Sequence, residues 1–199
     1  AGDTFTMGTV IGGAGTSGTK PILVRAAGPA LAAFGVGGTL ADPALEFFAG
    51  TTKIGENDNW GGTTVLTDSF TAVGAFQYAA GTSKDAAIYN ATVAPGNNSI
   101  KISGVGGATG TVIAELYDAT PSSSLTDATP RLINVSVLKH LGSGLTVGFV
   151  IGGATTRAVL IRAIGPTLGA APFNVPEIVA DPQLTLYSGQ TRIAANDNW

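Results

Sequence analysis

The sequence predicts an all-β protein: a β-sandwich of jelly-roll or immunoglobulin-like type, present as one nearly complete unit and part of a second. Three observations predict it. Short β-branched and apolar runs recur, several alternating with small or polar residues, the period of a half-buried strand. Turn-forming clusters separate them, drawn from 29 Gly and 10 Pro among 199 residues. Stretches with helical periodicity are scarce.

Taken in order, Phe5, Met7, Thr9 and Ile11 alternate with small or polar neighbours and predict a first strand. Residues 22–26 are a β-branched run that ends at the breaker Gly28-Pro29, after which 29–34 makes about one helical turn. Segments 45–48 and 52–55 flank Ala49-Gly50-Thr51 and read as a hairpin. Residues 67–76 predict a short helix capped by Thr67 or Asp68. Strands follow at 86–93, 99–105 and 111–117, parted by Pro95-Gly96-Asn97-Asn98 and by the Gly-rich 106–110. Further strands are expected at 131–138, 145–151 and 158–164.

Composition narrows the function. Charged residues are 12% of the chain, about half the usual share, and the net charge is −3. No basic stripe marks a nucleic-acid binder. No apolar run approaches the roughly 20 residues of a membrane-spanning helix. At 44% hydrophobic residues the chain can bury a core. It has no Cys, which excludes disulfides and thiolate metal sites. Ala1-Gly2-Asp3-Thr4 has neither an initiator Met nor an apolar leader; it reads as a mature end left by signal-peptide removal or as the edge of a longer chain.

Internal repetition is the most informative feature. TMGTVIGGA at 6–14 returns as TVGFVIGGA at 146–154, with seven of nine residues identical. ILVRAAGP at 22–29 returns as VLIRAIGP at 159–166. Over 41–60 against 180–199, eleven of twenty residues are identical, ending in the tetrapeptide NDNW both times. The offsets run from 137 to 140, so the unit is about 140 residues, the size of a domain. This divides the chain into unit one at 1–119, a Ser/Thr/Pro linker at 120–130, and a partial second unit at 131–199.

The segments RAAGPAL, LADPALEFF, ENDNWGG, SKDAAIY and ISGVGGATGTVIAELYDA resemble a tandem β-sandwich repeat of large secreted and surface proteins of environmental Gram-negative bacteria, notably Verrucomicrobia. The resemblance covers nearly the whole chain. Its motifs look structural and imply no activity. It also implies that a unit opens with an RLxNxS strand, matched here by Arg131, Leu132, Ile133, Asn134, Val135 and Ser136. Unit one lacks such an opening strand.

Few residues carry chemistry. Arg25 and Arg162 are equivalent and sit inside apolar strands, where an arginine needs a partner. Asp85 or Asp42 is the expected mate within unit one. A structural ion pair is the reading for this arginine, ahead of an anion or sugar-acid site. The NDNW tetrapeptides read as Asx turns anchored by Trp60 and Trp199. The lesser reading is Ca²⁺ at Asp58 and Asp197, whose spacing does not fit an EF-hand loop. No other cofactor is expected. His140 is the one histidine, and no GxSxG elbow accompanies it, so the chain reads as a non-enzyme. Sequons place N-glycan candidates at Asn90, Asn97 and Asn134, and Ser122, Ser123 and Ser124 are O-glycan candidates.

Function is expected from incompleteness. Residues 131–199 carry apolar strand faces, including Val159, Ile161, Leu184 and Leu186. Half a sandwich leaves such faces and its strand edges bare, and bare edges recruit another chain. Residues 131–136 together with those four form the expected assembly surface. The expected protein is a structural subunit of a secreted, extracellular filament, a helical or head-to-tail homopolymer built by strand complementation. A chain cut from a longer tandem array gives a covalent fibre instead. The alternative is an adhesin or carbohydrate-binding module with surface-glycan partners, which would need an exposed aromatic platform.

Overall fold

The structure, a computed structural model, describes residues 4–142 and 144–198. It is all-β, the described residues forming ten strands in three antiparallel sheets with little helix. The chain divides into two compact units, the first ending at Lys139 and the second starting at His140.

In the first unit, β1 (Phe5–Gly12), β3 (Pro43–Ala49), β4 (Thr52–Asn57), β6 (Gly96–Gly104) and β8 (Arg131–Leu138) form one sheet in the order β4-β3-β6-β1-β8. A second sheet has the order β5-β2-β7, from β2 (Lys20–Ala27), β5 (Ala86–Val93) and β7 (Ile113–Asp118). The apolar period fixes how they face. Met7, Thr9 and Ile11 of β1 are buried while the residues between them are half-buried. Met7 and Ile11 join Ile22, Val24, Leu45, Phe47, Ile100 and Ile102 in one core cluster.

β2 is buried almost throughout, because both of its faces are covered. Ile22, Val24 and Ala26 belong to the first cluster, whereas Leu23 and Ala27 belong to a second. This explains why 22–27 reads as a near-continuous apolar run. The second cluster is roofed by the 3-10 turn Pro29–Phe34 and by helix α1 (Thr64–Val73). Leu66 and Phe70, one turn apart, supply the buried stripe of α1. The helix begins three residues before the expected 67, with Thr63 rather than Thr67 or Asp68 at its N-cap. It stops at Gly74, whose φ of 72° suits glycine and whose N–H returns to Phe70 and Thr71.

The domain boundary differs from the sequence reading. Residues 131–138 do form a strand, but β8 pairs with β1, Met7 facing Val137 and Thr9 facing Val135. Leu132 and Val137 pack on the first core cluster. The strand expected to open unit two therefore closes unit one. Residues 120–130 are accordingly a connection within unit one, from β7 to β8. Ala119 N–H bonds Pro21 O and Ser17 N–H bonds Ala128 O, which ties both ends of this connection to the first unit.

The second unit contains β9 (Leu184–Ser188) and β10 (Thr191–Asn196), paired as a hairpin, and one helical turn, α2 (Pro166–Gly169). Segments 145–151 and 158–164 were expected as strands and are not. Their counterparts β1 and β2 are central strands, each laddered on both sides by β6 and β8 or by β5 and β7. No such partners flank the second copies among the described residues of their unit, and a strand has no ladder without them.

Candidate functional site

The first unit can be divided at Trp60 into a front part, 4–60, and a back part, 61–138. The buried charged contacts between the two run in one direction, with the cations in the front part and the carboxylates in the back. β2 carries the cations, and the antiparallel register of β2 with β7 places Glu115 directly opposite Arg25. Arg25 is fully buried. Its Nε lies 3.0 Å from Glu115 Oε2, and its Nη1 donates to Phe76 O at 2.7 Å. The guanidinium carbon stands 4.3 Å from the ring centroids of Phe70 and Phe76 and 4.4 Å from that of Tyr78. Nη2 has no hydrogen-bond partner, so three ring faces stand in for water around it.

The partner of Arg25 is thus Glu115, not Asp85 or Asp42. Asp42 pairs with Lys84 at 2.6 Å, holding the Lys84 ammonium above its usual range. Asp85 is fully buried and does something else. Its Oδ1 accepts the N–H of Gly28 at 2.8 Å and of Ala30 at 3.1 Å, and Ser83 Oγ donates to Oδ2. It thereby satisfies the amides of the Gly28-Pro29 turn. Gly28 is required there by space, because a Cβ would collide with the carbonyl oxygen of Leu40.

Lys20 is a third buried anchor that sequence reasoning missed. It is 1% exposed, with Nζ 2.7 Å from Asp118 and donating to Thr120 Oγ1 at 2.9 Å. A signal was present: Lys20 recurs as Arg157 at the same offset, 137, that carries Arg25 to Arg162. Near this cluster, Tyr117 Oη donates to Glu115 Oε1 at 2.8 Å. Burial first, then that bond and the carboxylate's charge, push the Tyr117 phenol up to about 12. Burial likewise raises Tyr78, against the opposing charge of Arg25.

The NDNW tetrapeptides form Asx turns in both units. Asn57 Nδ2 donates to Asn59 O at 2.9 Å, and Asn196 Nδ2 to Asn198 O at 2.9 Å. Asn57 Oδ1 also accepts the Ala87 N–H. Trp60 is buried, stacks on Phe70 with ring centroids 5.6 Å apart, and donates Nε1–H to Ala80 O at 3.0 Å. Trp199 lies outside the described residues. Asp58 and Asp197 are exposed, and among the described residues no three His, Asp or Glu side chains converge as a metal site would need.

The remaining sites fall as follows. Asn97 and Asn134 are exposed and Asn90 is half-buried, its Oδ1 accepting the Thr92 N–H. Ser122, Ser123 and Ser124 form an exposed 3-10 turn. An open depression of about 300 Å³ there is lined by Ser, Thr, Pro and Ala residues, among them Ser17, Thr19, Thr120 and Ser124, with no charged residue in its lining. His140 stands 3.7 Å from Glu177, both well exposed. Of the expected assembly residues, Arg131, Ile133, Asn134, Val135 and Ser136 of β8 are exposed and Leu132 is half-buried. Val159 is 52% exposed, and Ile161, Leu184 and Leu186 are half-buried. Their counterparts Ile22, Val24, Leu45 and Phe47 are at most 1% exposed.

No protein-family model, no curated protein and no solved structure matches this chain.

Proposed function

We propose that this chain is a structural, non-catalytic building block of an extracellular bacterial fibre, in which β-sandwich units follow head to tail and are completed by strands from neighbouring units. One observation carries the reading. The strand that the resemblance to tandem repeats assigns to the head of the second unit closes the sheet of the first, through β8 on β1. In a tandem series built this way, consecutive units are coupled by a laddered strand rather than by a free linker. A pull along the chain then loads a whole row of backbone hydrogen bonds together.

The side-chain chemistry supports the same reading. Each buried ionic group of the first unit is paired with an opposite charge or bonded to backbone amides, which supports a structural role for them. The resemblance to secreted tandem repeats supports the extracellular setting, and the low charge density suits a packed array. Negative-stain electron microscopy of native material tests the proposal. Uniform filaments with a regular axial repeat are expected; dispersed compact particles would overturn it.

A further inference from the structure

We infer that residues 144–198 form a docking half for the back part of another unit of the same repeat, and that this partner is recognised by the three carboxylates it must bring. The inference rests on the reading that units complete one another, and it specifies the chemistry of that completion.

In the first unit every buried ionic donor comes from the front part and every acceptor from the back. Lys20 meets Asp118, Arg25 meets Glu115, and the amides of Gly28 and Ala30 meet Asp85. The back part also supplies the aromatic faces around Arg25. The repeat sets Arg157, Arg162, Gly165 and Thr167 at the matching positions. Arg157 and Arg162 are exposed, and neither has a carboxylate partner among the described residues. The turn that presents the two amides is already formed: φ and ψ are −117° and −79° at Gly165, against −116° and −76° at Gly28.

The apolar complement is in the same state. Val147, Ile151, Val159 and Leu160 are 56%, 45%, 52% and 85% exposed, where Met7, Ile11, Ile22 and Leu23 are 5% or less. Taking such side chains out of water is favourable, which favours an occupant. Burying Arg162 beside an occupant that lacks a carboxylate would leave an uncompensated charge. A generic apolar strand is therefore a poor fit.

The test extends the chain rather than dissecting it. A second copy of residues 61–138 is placed directly after Trp199, reproducing the junction after Trp60. Amide hydrogen exchange is then read by mass spectrometry at 145–151 and 158–164. In the extended chain these segments are expected to slow by roughly 100-fold or more, toward the rates of β1 and β2. A scrambled 61–138 appended instead should leave them fast. Within the extended chain, R162A, or E115Q placed only in the appended copy, should abolish that protection while β1 and β2 keep theirs. Fast exchange in the extended chain, or protection that survives R162A, overturns the inference. Protection in the extended chain beside dispersed native particles would sustain the docking half and sink the fibre; filaments beside fast exchange would do the reverse.

Discussion

Removing the Arg25 guanidinium leaves the Glu115 carboxylate, 17% exposed, without its cation. Breaking such a buried pair costs about 3–5 kcal/mol, and R25A should show that loss in urea unfolding followed through Trp60 in a W199F background. R25K keeps the charge but loses the planar fork that lies against three rings, so it should still cost about 1–3 kcal/mol. Wild-type stability in R25K would show that the rings do not matter. Tyr117 gives a second residue-level test. Its folded pKa, about 12, lies above the ordinary phenol value of about 10. A raised value means the associated stability is fully present below pH 10 and is lost as pH climbs through 12. Ultraviolet titration should show a phenolate step near pH 12 that Y117F removes, with a shallower loss of stability over that window. Neither Glu115 nor Lys20 was legible as an anchor from one sequence, because a partner across a sheet has no fixed sequence separation. The need of Arg25 for a partner was legible; which carboxylate answers it depends on the β2–β7 register.

At the scale of elements, features closed within a few residues were read well and appear twice. The hairpins β3–β4 and β9–β10 share their register, Leu45 facing Asn57 and Leu184 facing Asn196. They share a bulge, at Ile54 and at Ile193. They also share a turn glycine, Gly50 at φ 58° and Gly189 at φ 59°, a conformation that favours glycine. The Gly-Pro turn repeats as closely, and its glycine is needed for space in both copies. G28A should destabilise the first unit by about 1–3 kcal/mol, as overpacking against backbone does, measured by thermal unfolding. A neutral G28A would mean that the turn can open without cost. The short helix was legible only roughly: it runs Thr64–Val73 against the expected 67–76, displaced at both ends, because Gly74 stops it and no side-chain cap marks where it starts.

At the scale of the whole molecule, the two units answer differently to nearly the same sequence. TMGTVIGGA lies mostly in a central strand, and TVGFVIGGA in no strand. Limited proteolysis should therefore cut first within 144–164 and leave 4–138 intact, read by mass spectrometry of the fragments. Early cleavage inside β1 or β2 would show that the first unit is not closed by β8. The sequence by itself determined the all-β class, the repeat, the hairpins, the Asx turns and the Gly-Pro turns. All of these rest on side-chain period, backbone sterics or bonds between near neighbours. Only the tertiary structure decided that 131–138 belongs to the first unit, that Arg25 is answered by Glu115, and that 145–164 stays without strand. Each of those depends on a partner far along the chain, and a strand's own residues specify its faces but not the neighbour that completes its ladder.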